Sequence, residues 1–295
     1  MATEWEGKSK GTVLGYRIYI FFIKKLGLAA SYLLLHFVVL YYCIFSVAST
    51  QAIFYYFHKR QGYSTLKSLF YVYRNYYVFG QTIIDKAAIS AGLRNKFTYD
   101  FDGIDKIENL LSQKKGGILL SAHIGNFEVA QHFLQDVNAF SSINLVTWDR
   151  EHEEIKAYMD SVTSKSNIKL ILIKEDMSHI FEIHTALTNG ELVCFTGDRY
   201  IEGTKFLEQR FLGANAKFPM GPFLLASRLK VPVLFVYVMK ESKKHYHLYA
   251  RTAEVKRGDA QGLLEKYTEN LEWIIDKYPL QWFNYFDFWG DKTNK

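Results

Sequence analysis

Apolar residues change their rhythm once along this chain. Before about residue 95 they come in long stretches with few charges, and beyond it short apolar runs alternate with amphipathic ones. Residues 26–48 give 23 positions without a formal charge, interrupted by the single histidine His36. As a helix this stretch is about 33 Å long, enough to cross the hydrocarbon of a bilayer. Lys24 and Lys25 precede it, an aromatic run over 53–57 follows, and His58, Lys59 and Arg60 come next. Basic and aromatic edges suit a membrane interface. Basic residues on both sides set no orientation, and spanning versus lying in one leaflet stays open. A helix buried in a soluble core is the competing reading. The pattern predicts a membrane-associated helical region over 1–95, with further helices over 63–80 and 81–93.

From Phe97 the pattern is different. Residues 97–101 alternate as a strand does. Helix 104–114, strand 117–122, helix 126–135, strand 142–147, helix 153–165, strand 169–173, helix 178–189 and strand 191–196 follow. A long loop over 198–216 leads to helix 219–229, strands 232–238 and 245–254, and helix 261–277, whose Leu263, Leu264, Tyr267, Leu271, Ile274 and Ile275 form an apolar stripe. Such alternation predicts an α/β fold over 96–295: a mostly parallel central sheet flanked by helices, with an antiparallel pair near the end.

Charge narrows the partners. The net charge of +6 and a pI near 9.0 point to an anionic surface or partner, such as phospholipid headgroups or an acidic carrier protein. No nucleic-acid-binding pattern is present, so nucleic acid is not expected. Cys43 and Cys194 are isolated and suggest neither a disulfide framework nor a zinc site. No Gly-x-Ser-x-Gly elbow supplies a hydrolase serine.

The candidate chemistry begins where strand 117–122 ends, at His123, Ile124, Gly125, Asn126, Phe127 and Glu128. A strand delivers a histidine to its C-terminal end, glycine and asparagine permit a tight turn, and a carboxylate enters the first turn of a helix. Strand ends facing helix N-termini are where sites form in open α/β sheets. Of nine histidines, only His123 has an acid five positions later. A histidine with an orienting carboxylate is the minimum apparatus for general-base catalysis; a simple strand-to-helix tie is the bland alternative. Two Asp–Arg pairs end other predicted strands: Asp149 with Arg150, and Asp198 with Arg199. Either arginine could hold a phosphate or a developing oxyanion, or merely tie its loop to the aspartate. Pro219 and Gly221 mark a helix start that allows close backbone approach. His245 and His247 share a face of a predicted edge strand without nearby acids in sequence, and His179 and His184 point too far apart on their helix to share a metal.

Taken in order, these pieces resemble the lysophospholipid acyltransferase superfamily of bacteria, specifically its lipid A late (lauroyl/myristoyl) acyltransferase branch. The matching features are the N-terminal apolar helix, the His-x4-Glu segment, Gly197-Asp198-Arg199, Phe211-Leu212-Gly213, Phe218-Pro219-Met220-Gly221, Val231-Pro232 and Pro279-Leu280-Gln281-Trp282. The resemblance implies a glycerolipid acyltransferase-like fold at the cytoplasmic face of the bacterial inner membrane. It implies transfer of a fatty acyl chain from acyl carrier protein, or from acyl-coenzyme A, to a hydroxyl or amine of a lipid or lipid-like acceptor. His123 would be the base, oriented by Glu128, with Gly125, Asn126, Arg150, Asp198, Arg199, Pro219 and Gly221 binding substrate. Backbone N–H groups near Gly125, or Arg199, would serve the oxyanion. No metal or cofactor is required. Where that branch commonly carries histidine and arginines after its glutamine–aromatic element, this chain has Phe283, Asn284, Tyr285, Phe286, Asp287, Phe288 and Trp289. Aromatic contact area there suits an acyl chain, a polyene or a weakly charged headgroup. A non-catalytic membrane-anchored lipid-binding protein of the same fold is the alternative.

Overall fold

The computed structural model describes residues 13–134, 142–147 and 168–290. Its first helix, α1 (Val13–Phe45), leaves helical geometry at Gly27 (φ 82) and gives way at Ser46 to α2 (Val47–Tyr55). A π-helical turn, Tyr56–Arg60, then leads to α3 (Thr65–Ala88), capped by the Ser64 side chain. The expected break near residue 80 is absent. Gly80 lies inside α3 because α1 packs against it: an added Cβ would stand 2.4 Å from a Leu35 methyl. Among the α1 residues whose side chains are described, one face is covered, through Tyr32, Leu35 and Val39. The other carries exposed Leu33, Phe37, Tyr41, Ile44 and Phe45, continued by Val47 and by Leu66, Leu69 and Phe70 of α3. By length and composition the segment Lys25–Phe45, with mean hydropathy 2.0, could cross a membrane.

The rest of the described chain is a seven-stranded sheet flanked by helices, the predicted α/β class. The strands are β1 (Thr98–Asp102), β2 (Gly117–Ser121), β3 (Ile143–Thr147), β4 (Ile168–Leu172), β5 (Leu192–Thr196), β8 (Val233–Lys240) and β9 (His245–Thr252), in spatial order β1-β9-β8-β2-β5-β3-β4. Strands β8, β2, β5, β3 and β4 run parallel, and β9 returns antiparallel to β8. Strand β9 is not an edge strand, since β1 pairs with it in parallel. Acids also reach its histidines: Glu241 lies 3.2 Å from His247, and Asp100 3.4 Å from His245. All five positions of β2 are buried, and its centre, Ile118, Leu119 and Leu120, is a continuous apolar run, as expected of a strand covered on both faces.

Helices α4 (Ile104–Ser112), α5 (Ala130–Leu134), α6 (His179–Thr188), α7 (Met220–Arg228) and α8 (Ala260–Lys277) lie where the periodicity puts them. All six apolar residues of the α8 stripe are buried. The helix predicted over 153–165 lies outside the described residues. The predicted loop over 198–216 is not all loop: β6 (Phe206–Phe211) and β7 (Ala214–Pro219) form an antiparallel hairpin. Its tip, Leu212 and Gly213, has positive φ at both residues (47° and 82°), a turn matched to strand twist. One hydrophobic cluster extends from Ile23 on α1 through the sheet to Phe288.

Candidate active site

Register brings the site together. Strands β2 and β5 pair with Ser121 opposite Thr196, so two residues further on His123 stands beside Asp198. Gly197 N–H donates to the Ser121 carbonyl at 2.9 Å, and the next donor, His123 N–H, goes to both carboxylate oxygens of Asp198 at 3.0 Å. His123 Nδ1 lies 2.7 Å from Asp198 Oδ1, and Trp282 Nε1–H donates to Oδ2 at 3.2 Å. The carboxylate therefore fixes both backbone and ring of His123. The Asp198 side chain is 2% exposed and the imidazole 27%, so the ring forms the solvent-facing half of the pair.

Burial pushes the Asp198 carboxyl upward. The His123 imidazole, its hydrogen bonds and the Arg199 guanidinium outweigh that and hold it below the usual carboxylate value. Arg199 itself is brought down to about 10 by burial, against the upward pull of Asp198. It remains a cation at neutral pH, with Nη2 donating to the Phe283 carbonyl at 2.8 Å. Cys194, also on β5, is buried, and its thiol is pushed up to about 12, so it is not a thiolate nucleophile at neutral pH.

The turn after His123 is clamped from two sides. Asn126 N–H donates to Val238 O at 2.7 Å, and Gly125 N–H to Gln281 O at 2.9 Å. Gly125 has φ +61, and an added Cβ would stand 2.1 Å from Val238 O, so only glycine fits. That engagement occupies the Gly125 N–H itself. Asn126 likewise points inward. It is buried, and its amide donates to Thr82 O at 3.0 Å and the Tyr246 hydroxyl at 3.3 Å, which argues for a turn-fixing role over substrate contact. Pro219 and Gly221 begin α7; that helix reaches the site through Phe223, which packs 5.1 Å from Tyr267 and closes on Gly197. Space around Gly221 is open. Arg150 and the Glu128 side chain lie outside the described residues.

The aromatic tail after Trp282 is part of the core. Phe288 packs 5.1 Å from Trp282 and 5.7 Å from Phe218, and Tyr285 stacks on Tyr76 at 5.4 Å. Its rings support Trp282 behind Asp198, so packing accounts for aromatic residues where the resemblance expects basic ones. Sequence spacing could not reveal the 75-residue separation between His123 and Asp198. Only the strand register does.

A strand-end histidine, its buried carboxylate and a neighbouring cation thus stand together at the carboxyl edge of an α/β sheet. Residues 72–289 match the family model described as bacterial lipid A biosynthesis acyltransferase. The chain belongs to that family and is an acyltransferase. No curated protein matches it.

Proposed function

We propose that this acyltransferase moves a fatty acyl chain from an acyl thioester to a hydroxyl or amine of a membrane-resident lipid, with His123 as general base. The observation that carries the reading is the His123–Asp198 pair at the carboxyl edge of the sheet, beside Arg199. With Nδ1 facing Asp198, the imidazole would take the acceptor proton through Nε2 as the acceptor oxygen or nitrogen attacks the thioester carbonyl. Asp198 then stabilises the imidazolium that forms, as the carboxylate does in histidine-based triads. Glu128, one helical turn beyond the glycine turn, is proposed as a second orienting group. Arg199 would stabilise the oxyanion of the tetrahedral intermediate, whose collapse expels the thiolate.

The donor best suited to a basic protein is acyl carrier protein, itself acidic, with acyl-coenzyme A as the alternative. Membrane attachment is supported by the uncovered face of α1, where Leu33 is 65% and Phe37 68% exposed, and by exposed Leu66 at 82%. Such a face suits hydrocarbon, and exposed Lys25 and Lys67 suit anionic headgroups. On this reading the protein sits at the bacterial inner membrane with its sheet on the cytoplasmic side, where acyl thioesters are found. Residues 1–95 would form the membrane region and 96–295 the catalytic region. The family makes a lipid A precursor the first acceptor to offer. The test compares total lipids by mass spectrometry in cells with and without the intact gene, then repeats the transfer with purified protein. A lipid that lacks one acyl chain in the deletion and gains it in vitro supports the reading. Identical lipid profiles together with no transfer in vitro would leave a lipid-binding protein of the same fold.

A further inference from the structure

Behind the His123 turn lies a buried polar cluster that acyl transfer does not use directly. Asp85, on α3, is fully buried. Its carboxylate accepts hydrogen bonds from the Tyr32 hydroxyl on α1, the Tyr246 hydroxyl on β9 and the Lys240 ammonium at the end of β8. Lys240 also donates to the Lys243 carbonyl at 2.8 Å, an oxygen that lies 3.0 Å from the Tyr32 hydroxyl. Well-packed apolar residues often serve stability as well as a buried ion pair does, so stability alone is a weak reason for this one.

The cluster reaches the His123 turn by two routes. In the first, the Tyr246 hydroxyl that donates to Asp85 accepts from the Asn126 amide at 3.3 Å. The same amide donates to Thr82 O, three residues before Asp85 on α3. In the second, the backbone of Lys240 pairs with the Gln281 side chain, its N–H donating at 2.9 Å and its carbonyl accepting at 2.7 Å. The Gln281 carbonyl in turn accepts from Gly125 N–H, two residues from the imidazole. Phe283 N–H, two residues past Gln281, donates to the His123 carbonyl at 2.9 Å.

We propose that Asp85, Lys240 and Tyr246 are positioning residues that fix the turn carrying His123, and that the Tyr246 hydroxyl is their direct contact on Asn126. The inference rests on the proposed role of His123. Its force comes from an internal control in the geometry. Tyr32 and Tyr246 each give one hydroxyl to the same carboxylate, yet only Tyr246 also touches the turn. The Tyr246 ring packs on Phe97 and Phe133, contacts that phenylalanine keeps.

The test compares Tyr246→Phe with Tyr32→Phe in the full-length, detergent-solubilised protein, measuring acyl transfer from acyl carrier protein to a lipid A precursor. Hydrogen–deuterium exchange is followed in the peptides covering 117–129 and α1. Tyr246→Phe is expected to lower kcat about tenfold at unchanged KM, the scale of a slightly misplaced catalytic group, and to speed exchange at 123–127 while β2 stays protected. Tyr32→Phe is expected to keep kcat within about twofold and to speed exchange only in α1. Equal losses of kcat in the two variants, or wild-type kcat in Tyr246→Phe, would overturn the proposal. His123→Ala, run alongside, separates the two readings. Full turnover there removes the base assignment, while the contrast in exchange still judges the network.

Discussion

At the carboxyl edge of the sheet, charged groups are buried: Asp198 is 1% exposed and faces His123, Arg199 and the Trp282 indole. Along α1 the reverse holds, and Phe37 and Phe45 are each 68% exposed in a helix whose other face packs on α3. Each region departs from the ordinary rule of apolar inside and charged outside. A buried carboxylate is tolerable only when its hydrogen-bonding capacity is met, and here the His123 ring, the His123 amide and the Trp282 indole meet it. A contiguous exposed apolar face is tolerable only when something apolar covers it. In the first region the buried charge is met by groups of the chain itself, whereas on the proposed reading the second is covered by a membrane. On the proposed reading acyl transfer onto a lipid joins them, because the acceptor would lie where the second region docks.

Perturbing the complete region should produce the largest effects. Asp198→Asn keeps the shape but removes the charge that holds His123 Nδ1, and acyl transfer should fall by up to about 10⁴-fold, as when a triad aspartate is neutralised. Glu128→Ala should also fall steeply, by about 10²-fold or more if it orients the base. Steady-state kinetics on folded protein check both, and wild-type rates in Asp198→Asn would make that pair a structural tie. Arg199→Ala should cost about 10²–10³-fold, the range of a lost oxyanion donor. Arg199→Lys should stay impaired, because a point charge does not reproduce the planar guanidinium. Arg150→Ala should do less damage than Arg199→Ala, and the reverse order would move the anion site to the end of β3.

The incomplete region is perturbed by charge. Phe37→Glu combined with Phe45→Lys should shift the protein from the membrane to the soluble fraction, yet change folding stability by only about 0.5 kcal/mol per exposed site. Fractionation and thermal melting separate these effects. Unchanged membrane recovery after a high-salt wash would mean that this face does not hold the membrane. The smallest effect concerns acid stability. The Asp198 carboxyl is held below its ordinary value, so its contribution to stability is present above the unfolded carboxylate pKa of about 3.9 and is lost as pH falls through the lower folded value. Asp198→Asn should therefore flatten that part of the acid unfolding curve. An unchanged curve would show that the carboxylate is not specially stabilised.

The sheet was legible because its strands are short apolar runs separated by amphipathic helices, and β2, β5 and β8 keep that signal without interruption. The β6–β7 hairpin was not. Its turn uses Leu212 in the left-handed region, where asparagine would have announced it, so the run reads as loop. Gly80 misled for a similar reason: it looks like a helix breaker, but it is the small surface that α1 needs. At the site, His123 could be read from its position after β2, whereas Asp198 as its partner could not, since only the pairing of Ser121 with Thr196 aligns them. The tail over 283–289 reads as a ligand surface because aromatic rings serve both cores and binding sites, and the packing of Phe283 and Phe288 into the core could not be read from the sequence.

The central claim is that His123 is the base for acyl transfer, and turnover by purified His123→Ala tests it most directly. Transfer from an acyl thioester to the acceptor used by the wild type should be followed by mass spectrometry, with a melting curve recorded on the same sample. A rate lower by about 10²–10⁴-fold with an intact melting transition is the predicted result. Full turnover by the variant would contradict the account.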